Sequence, residues 1–160
     1  MSSLKRGASA SRLLAAALRY AGRGVRSSRD VREYLSRLGA APAAGRAAEA
    51  ACRDRGLIDD AAAAVLWAGQ WARQGYARAA VRERLAVKGF DAGVIDRALG
   101  RPDPGAEVRR AAALIERRRR RGRPGRAALA RVLAAKGYDH DVIEQAVNRS
   151  STNDPPNDEP

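Results

Sequence analysis

The residues best suited to chemistry are arginines in an unbroken run, Arg117–Arg121. A guanidinium group is always charged and pairs with phosphate or carboxylate oxygens through two parallel hydrogen bonds. Successive helical residues are about 100° apart, so this run points all round a helix axis. A packed core does not accept an unpaired guanidinium, so this helix end projects from the bundle or its side chains reach solvent. We predict a contact with a polyanion or an acidic partner, extended by Arg123 and Arg126, rather than a merely solvated helix end.

Other residue types that could do chemistry do not form a catalytic set. The acidic pair Asp59–Asp60 has no further converging acid or histidine, which favours helix capping over acid–base catalysis. His140 is the only histidine and Cys52 the only cysteine, so neither an internal disulfide nor a zinc site is available. We therefore expect a protein that is not an enzyme and that has no cofactor and no metal site.

The charge of the chain points to an anionic partner. There are 31 Lys and Arg against 18 Asp and Glu, a net charge of +13. Residues 150–160 hold three acids and no base, so residues 1–149 carry 31 bases and 15 acids, a net charge of +16. A field of this size attracts nucleic acid, an anionic membrane or an acidic protein surface, without distinguishing among them.

Composition bounds the fold class and the location. Hydrophobic residues make up 45% of the chain but aromatic residues only 4%, so large core side chains are scarce. Alanine, arginine, glutamate and leucine favour helix, and β-branched residues do not occur in alternating runs, which predicts an all-α protein. No apolar run has the length of a membrane span, and the short stretch LLAAAL runs into Arg19. We expect a soluble, cytoplasmic protein without a signal peptide.

One stretch of the chain occurs twice. RLAVKGFDAGVIDRAL at 84–99 returns as VLAAKGYDHDVIEQAV at 132–147, 48 positions later, with eight of sixteen residues identical. Each copy predicts a helix, a stop in the left-handed conformation that glycine favours, a core aromatic and a capped second helix. The glycines are Gly89 and Gly137, the aromatics Phe90 and Tyr138, and the caps Asp91 and Asp139.

A further helix precedes each copy, which makes a unit of three helices in about 48 residues, a period typical of stacked helical modules. In residues 27–39, Ser28 is placed to cap a helix that ends at Gly39. We predict a degenerate repeat at 9–55, repeats at 56–100 and 104–149, and disordered ends at 1–8 and 150–160. Stacked units of this kind predict an elongated, curved array.

The chain resembles the RecX family, regulators of the RecA recombinase. The similar stretch begins with Gly-Leu-Ile-Asp-Asp at 56–60, continues through Trp67 and Gly75 to Lys88-Gly89, and ends with Val94-Ile95. The resemblance covers about residues 10–149 and is strongest in 56–147. Three positions depart from the family pattern, since the usual aromatic, basic residue and second glycine are replaced by Ala63, Trp71 and Ala77.

The resemblance implies three tandem three-helix repeats and a role without catalysis. RecX-like proteins bind RecA and its filament on single-stranded DNA, lie in the filament groove, and inhibit filament growth, ATP hydrolysis and strand exchange. They thereby affect recombination and the SOS response to DNA damage. We expect this chain to act as a monomer, with no membrane partner. The predicted contacts to RecA or DNA are basic residues of the two clearer repeats: Arg73, Arg78, Arg82, Lys88, Arg117, Arg118, Arg119, Arg120, Arg121, Arg123, Arg126 and Lys136.

Two other functions stay open. The first is a stand-alone DNA-binding protein, because small three-helix units resemble helix-turn-helix modules and a charge of this size gives salt-sensitive affinity. The second is a structural RNA-associated protein. Few polar residues in the repeats are suited to reading base edges, which counts against both. Lys88 and Lys136 also have a purely structural interpretation, since a cation near a helix C-terminus complements the helix dipole.

Overall fold

Strong helix formers dominate the sequence, and the chain folds accordingly. The computed structural model describes residues 10–122 and 124–151, and within these ranges it contains nine α-helices and no strand. The prediction of an all-α fold is confirmed. The helices are α1 (Ala10–Ala21), α2 (Ser28–Arg37), α3 (Pro42–Asp54), α4 (Asp60–Arg73), α5 (Arg78–Val87), α6 (Ala92–Leu99), α7 (Pro104–Arg119), α8 (Arg126–Ala135) and α9 (His140–Ser151).

The two ends of the chain meet the predictions only in part. The predicted disordered segment at 1–8 lies outside the described residues, as does the tail beyond residue 151. Helix α9 continues through Ser150 and Ser151, the first two residues of the predicted tail. Ser150 is buried, and its hydroxyl donates a hydrogen bond of 2.9 Å to the Ala146 carbonyl. The division into three repeats stays a prediction.

Glycines end the helices that the repeated stretch predicts. Gly75, Gly89 and Gly137 follow α4, α5 and α8 with φ angles of 82°, 84° and 83°, in the left-handed region. Any other residue type is strained there. Gly137 also allows a close approach, because a Cβ added to it would lie 2.7 Å from the Cβ of Ala80. The predicted glycine stops at 89 and 137 are confirmed, and Gly75 ends α4 in the same way.

The chain divides into two compact units, and the boundary crosses α4, α5 and the last turn of α6. The first unit contains the described residues up to Leu66 and the segment Leu85–Ala98. Its main core joins side chains of α1, α2 and α3 with Ile58 from the loop before α4. The buried members are small or medium in size: Leu13, Ala17, Ala21, Val31, Leu35, Ala48, Cys52 and Ile58.

The second unit contains the segment Trp67–Arg84 and the described residues from Leu99 onward. Its core brings α7, α8 and α9 together around an aromatic ring and also includes Ala77, which lies just before α5. The buried members are Ala77, Ala111, Leu114, Ile115, Leu129, Leu133, Tyr138, Ala146 and Val147. Tyr138 here and Phe90 in the first unit are both buried, as predicted for aromatics that fill the core.

The N-termini of the helices are satisfied by local side chains and by acids from elsewhere in the same unit. Ser27, one residue before the predicted cap, forms a capping box with Asp30 at the start of α2. Ser28, the residue predicted for that role, is instead the first residue of α2, and its backbone N–H donates to Asp60 at 2.8 Å. Asp59 caps α4 as predicted, since its side chain accepts from the Ala62 N–H at 3.0 Å.

The contact between the start of α2 and an acid recurs at α5. The first N–H of α5, from Arg78, donates to the Glu107 carboxylate at 2.8 Å. Asp60 and Glu107 lie in the first turns of α4 and α7. Each acid therefore places a negative charge at the positive end of another helix in its unit, which stabilises both ends.

A buried acid in the first unit holds two arginines. Glu49 of α3 is 6% exposed at its side chain and accepts hydrogen bonds from Arg53 at 2.7 Å and Arg32 at 3.3 Å. Arg53 also donates to the Ser28 hydroxyl at 2.8 Å. These two arginines therefore have a structural role in joining α2 to α3.

The Tyr138 hydroxyl gives a stability prediction, because it is buried without a hydrogen-bond partner among the described residues. An unsatisfied buried hydroxyl costs about 1–3 kcal/mol, and Phe90 fills the corresponding position of the other repeat. We expect Tyr138→Phe to raise the free energy of unfolding by about 1 kcal/mol at pH 7, measured by urea denaturation. A loss of stability would mean that the hydroxyl has a partner.

The same residue predicts a decline in stability at alkaline pH. Burial raises the pKa of Tyr138 to about 12, whereas an unfolded phenol titrates near 10. Below pH 10 the Tyr138 hydroxyl is protonated in both the folded and the unfolded state, so its contribution to stability is constant. Above pH 10 the unfolded state loses this proton first. Stability then falls between pH 10 and 12, by on the order of 2 kcal/mol. Tyr138→Phe should reduce this decline by that amount, and an unchanged alkaline slope would contradict the assignment.

Candidate polyanion-binding surface

The arginine run lies at the end of α7, and the amino end of this helix is well defined. The Asp103 side chain caps α7 by accepting from the Ala106 N–H at 3.0 Å, and Pro104 occupies its first position. One face of α7 is buried in the second unit through Val108, Ala111, Leu114 and Ile115. Ala112, next to Ala111 on this helix, is only half-buried.

Two arginines of the run hold the carboxyl ends of other helices. The Arg117 guanidinium donates a hydrogen bond of 2.9 Å to the carbonyl of Arg73 at the end of α4. The Arg119 guanidinium donates one of 2.8 Å to the carbonyl of Ser150 in α9. A cation at a helix C-terminus satisfies an orphan carbonyl and complements the dipole. Arg117 and Arg119 therefore also contribute to the stability of this unit.

The other three arginines of the run face solvent. Arg118 lies in the last turn of α7, Arg120 is its C-cap, and Arg121 follows before Gly122. All three are exposed. We call them the exposed arginine cluster. Three guanidinium groups within four consecutive residues form a concentrated positive charge that solvent and partners can reach.

The remaining predicted contacts of the second unit fall into two kinds. Arg78 is engaged internally, because its guanidinium donates to the carbonyls of Leu99 at 2.6 Å, the last residue of α6, and of Gly100 at 2.5 Å. Arg73, Arg82 and Arg126 are exposed, and Arg126 also donates to the Asn148 side chain at 2.7 Å. Arg123 lies outside the described residues.

Lys88 and Lys136 occupy corresponding places, each directly after a helix and before its glycine stop. Lys88 belongs to the first unit and is half-buried after α5. Lys136 belongs to the second unit and is the C-cap of α8. Both positions suit the interpretation of a cation at a helix C-terminus.

Lys136 belongs to a cluster that the sequence did not indicate. Its ammonium nitrogen lies 3.7 Å from the centroid of the Tyr76 ring, and the Arg84 guanidinium carbon lies 3.8 Å from the same centroid. Hydrogen bonding and charge from Arg84 and Lys136 lower the pKa of the Tyr76 hydroxyl. Tyr76 and Arg84 were absent from the predicted contacts because nothing in the local sequence links either residue to Lys136.

The described residues offer little to other classes of site. In residues 10–122 and 124–151, no group of three or more His, Cys, Asp or Glu side chains is placed to hold a metal ion. Burial raises the pKa of the Cys52 thiol, which makes it a poor nucleophile. In the same ranges, no helix combines the length and the apolar character needed to cross a membrane.

A matched pair of substitutions separates structural arginines from exposed ones. Arg117→Gln removes the hydrogen bond to the end of α4, and we expect it to lower the free energy of unfolding by about 1 kcal/mol. Arg118→Gln makes the same change of charge at an exposed position and should stay within about 0.5 kcal/mol of the parent. Urea denaturation measures both. Equal effects would mean that charge, not the hydrogen bond, determines the result.

Comparison with known proteins gives matches at the level of structure alone. No protein-family model and no curated protein sequence matches the chain. The crystal structure of RecX from Lactobacillus salivarius superposes with a TM-score of 0.73 at 19% identity, over 89% of this chain and 97% of that one. A second crystal structure, of the regulatory protein RecX, superposes with a TM-score of 0.70 at 23% identity, over 87% of this chain and 71% of that one.

Proposed function

We propose that this chain, which has the fold of the RecX regulatory proteins, is itself a regulator that binds RecA and its single-stranded DNA filament. The likeness to two RecX structures over nearly nine-tenths of the chain is the observation that carries the proposal. The RecX-like motif order at 56–95 supports the same family independently of the superposition. In this role the chain lowers recombinase activity and thereby modulates recombination and the SOS response.

The charge distribution supports a filament as the target. A RecA filament on DNA presents phosphates, and phosphate contacts to Lys and Arg supply salt-dependent affinity with no need for sequence recognition. The exposed arginine cluster offers such contacts, with Arg73, Arg82, Arg126 and the lysines Lys88 and Lys136 as further candidates. Arg78, Arg117 and Arg119 have internal hydrogen bonds, so changes there act on stability as well as on binding.

The proposed activity is binding rather than catalysis, carried out by a monomer in the cytoplasm. We propose that the three-helix units stack into an elongated, curved array that follows the filament. Small-angle scattering tests this shape directly. A radius of gyration well above the value of about 15 Å expected for a compact domain of this length supports an array, and a compact value counts against it.

Fluorescence anisotropy with a labelled single-stranded oligonucleotide tests the function. The oligonucleotide is used bare, and also coated with RecA in the presence of a slowly hydrolysed ATP analogue. We expect this protein to bind the coated strand at least tenfold more tightly than the bare strand at physiological salt. Because all basic proteins bind DNA more weakly as salt rises, dependence on RecA rather than on salt is the informative result.

The alternative is a stand-alone DNA-binding protein, which the net charge of +13 favours. This function predicts equal or tighter binding to the bare strand, and no effect of a RecA variant that cannot form filaments. Double-stranded and single-stranded oligonucleotides of one sequence should be compared under the same conditions. Preference for bare duplex DNA would support the alternative and would contradict the filament proposal.

A further inference from the structure

Two cations of the second unit converge on one phenol. The ammonium of Lys136 and the guanidinium of Arg84 lie 3.7 Å and 3.8 Å from the centroid of the Tyr76 ring. Because both charges lie against the same ring, they are close to each other. Lys136 comes from the end of α8 and Arg84 from α5, so two separate helices bring them to the same ring.

Among the residues that the structure describes, no acid pairs with either of these two cations, whereas Arg110, on α7 of the same unit, pairs with Glu107 at 3.5 Å. Two like charges held close together without a counter-charge repel each other, and the face of the aromatic ring offsets this repulsion only in part. Such an arrangement is complementary to an anion.

The Tyr76 hydroxyl completes the arrangement. Both cations act on it, and hydrogen bonding and charge from Arg84 and Lys136 lower its pKa. A phenol polarised in this way is a good hydrogen-bond donor to an anionic oxygen. Tyr76, Arg84 and Lys136 are all partly exposed, so a ligand from solvent can reach them.

We propose that Tyr76, Arg84 and Lys136 form a binding site for one phosphate group, supplied by the backbone of single-stranded DNA. The two cations pair with the phosphate oxygens, and the hydroxyl donates a third hydrogen bond. The ring itself does not stack on a base, because cations occupy its surface. This inference deepens the proposed function and depends on it for the identity of the polyanion.

The test is the salt dependence with which this protein, without RecA, binds a twenty-nucleotide oligothymidylate. Each phosphate contact to single-stranded DNA contributes about 0.7 to the slope of log affinity against log salt. Because both cations contact the same phosphate, we expect the double variant Arg84→Gln/Lys136→Gln to reduce the magnitude of that slope by about 0.7, and each single variant to reduce it by less. Arg131→Gln is the matched control, because Arg131 lies on α8, five residues before Lys136, is exposed, and donates a hydrogen bond to a carbonyl of its own helix.

Tyr76 variants separate a phosphate site from a stacking platform or a structural contact. Tyr76→Phe keeps the ring and removes the hydroxyl, and we expect it to lower the affinity about threefold to tenfold. A stacking role predicts full affinity for Tyr76→Phe, and a loss for Tyr76→Ala with no change in salt slope. A merely structural contact predicts altered stability with unchanged slopes in all variants. Either of these results overturns the proposal.

Two further arms identify the source of the phosphate and separate this inference from the proposed function. Calorimetric titration with inorganic phosphate should give no measurable binding below 1 mM, and tight binding there would mean a free-phosphate site instead. Binding to RecA-coated DNA is measured on the same variants. If the variants leave the salt slope on bare DNA unchanged and the parent still binds RecA-coated DNA, the phosphate site is refuted but the proposed function is not. If the substitutions weaken binding to bare DNA but RecA does not strengthen binding of the parent protein, the proposed function is refuted and the phosphate site is supported.

Discussion

Leu133→Ala is expected to lower the free energy of unfolding by about 2–4 kcal/mol. Leu133 of α8 is fully buried at the centre of the core formed by α7, α8 and α9, beside Ile115, Leu129 and Tyr138. Removing three carbon atoms there loses transfer free energy and leaves a cavity that its neighbours fill incompletely. Alanine is the best helix former, so propensity does not add to the loss. Urea denaturation followed by circular dichroism measures the change.

The matched control is Leu66→Ala on α4, where the leucine is 49% exposed. The chemical change is identical, but less apolar area leaves water, so we expect a loss below about 1 kcal/mol. The ratio of the two effects measures how far the core depends on its few large side chains. A Leu133→Ala variant as stable as Leu66→Ala would contradict the described packing of the second unit.

The second large effect is functional and concerns the exposed arginine cluster. We expect simultaneous Arg118→Gln, Arg120→Gln and Arg121→Gln to weaken binding to RecA-coated single-stranded DNA by on the order of tenfold to a hundredfold near 0.15 M salt. The loss should shrink as salt rises, because the lost contacts are those that release counterions. Fluorescence anisotropy at three salt concentrations measures the affinity. A urea midpoint equal to that of the parent protein confirms that the variant is folded.

A triple variant with the same loss of charge serves as the control. Arg19, Arg37 and Arg46 are exposed residues of α1, α2 and α3 in the first unit, and none belongs to the predicted contacts. Substituting all three by glutamine lowers the net charge equally and should change filament affinity less than threefold. Equal losses in both triple variants would mean that net charge alone drives binding and that the cluster is not a specific contact.

Local chemistry explains which parts of the fold the sequence predicts well. The glycines at 75, 89 and 137 are predictable because a left-handed residue after a helix is a local requirement that one residue type meets best. The capping role of Asp59 is local in the same way. The cap of α2 lies one residue earlier than predicted, and the spacing of Ser27 and Asp30, which is typical of a capping box, distinguishes Ser27 from Ser28 in the sequence.

The roles of individual arginines could not be predicted, because they depend on contacts between distant parts of the chain. Arg78, Arg117 and Arg119 each donate to a carbonyl more than twenty residues away, at the end of another helix. In sequence they look like the neighbouring exposed arginines. Tyr76 and Lys136 are likewise brought together by α8 folding against the turn after α4. Composition therefore indicates that the surface is basic, but packing decides which of its charges are available.

The decisive measurement of the proposed function is RecA's DNA-dependent ATP hydrolysis on single-stranded DNA, with this protein titrated in near physiological salt. Regulation of the filament predicts inhibition at fewer molecules of this protein than of RecA, and this inhibition should persist when single-stranded DNA is in excess. Inhibition only at saturating protein, relieved by added DNA, would mean competition for bare DNA and would contradict regulation of the filament. An unchanged rate of hydrolysis would contradict it as well.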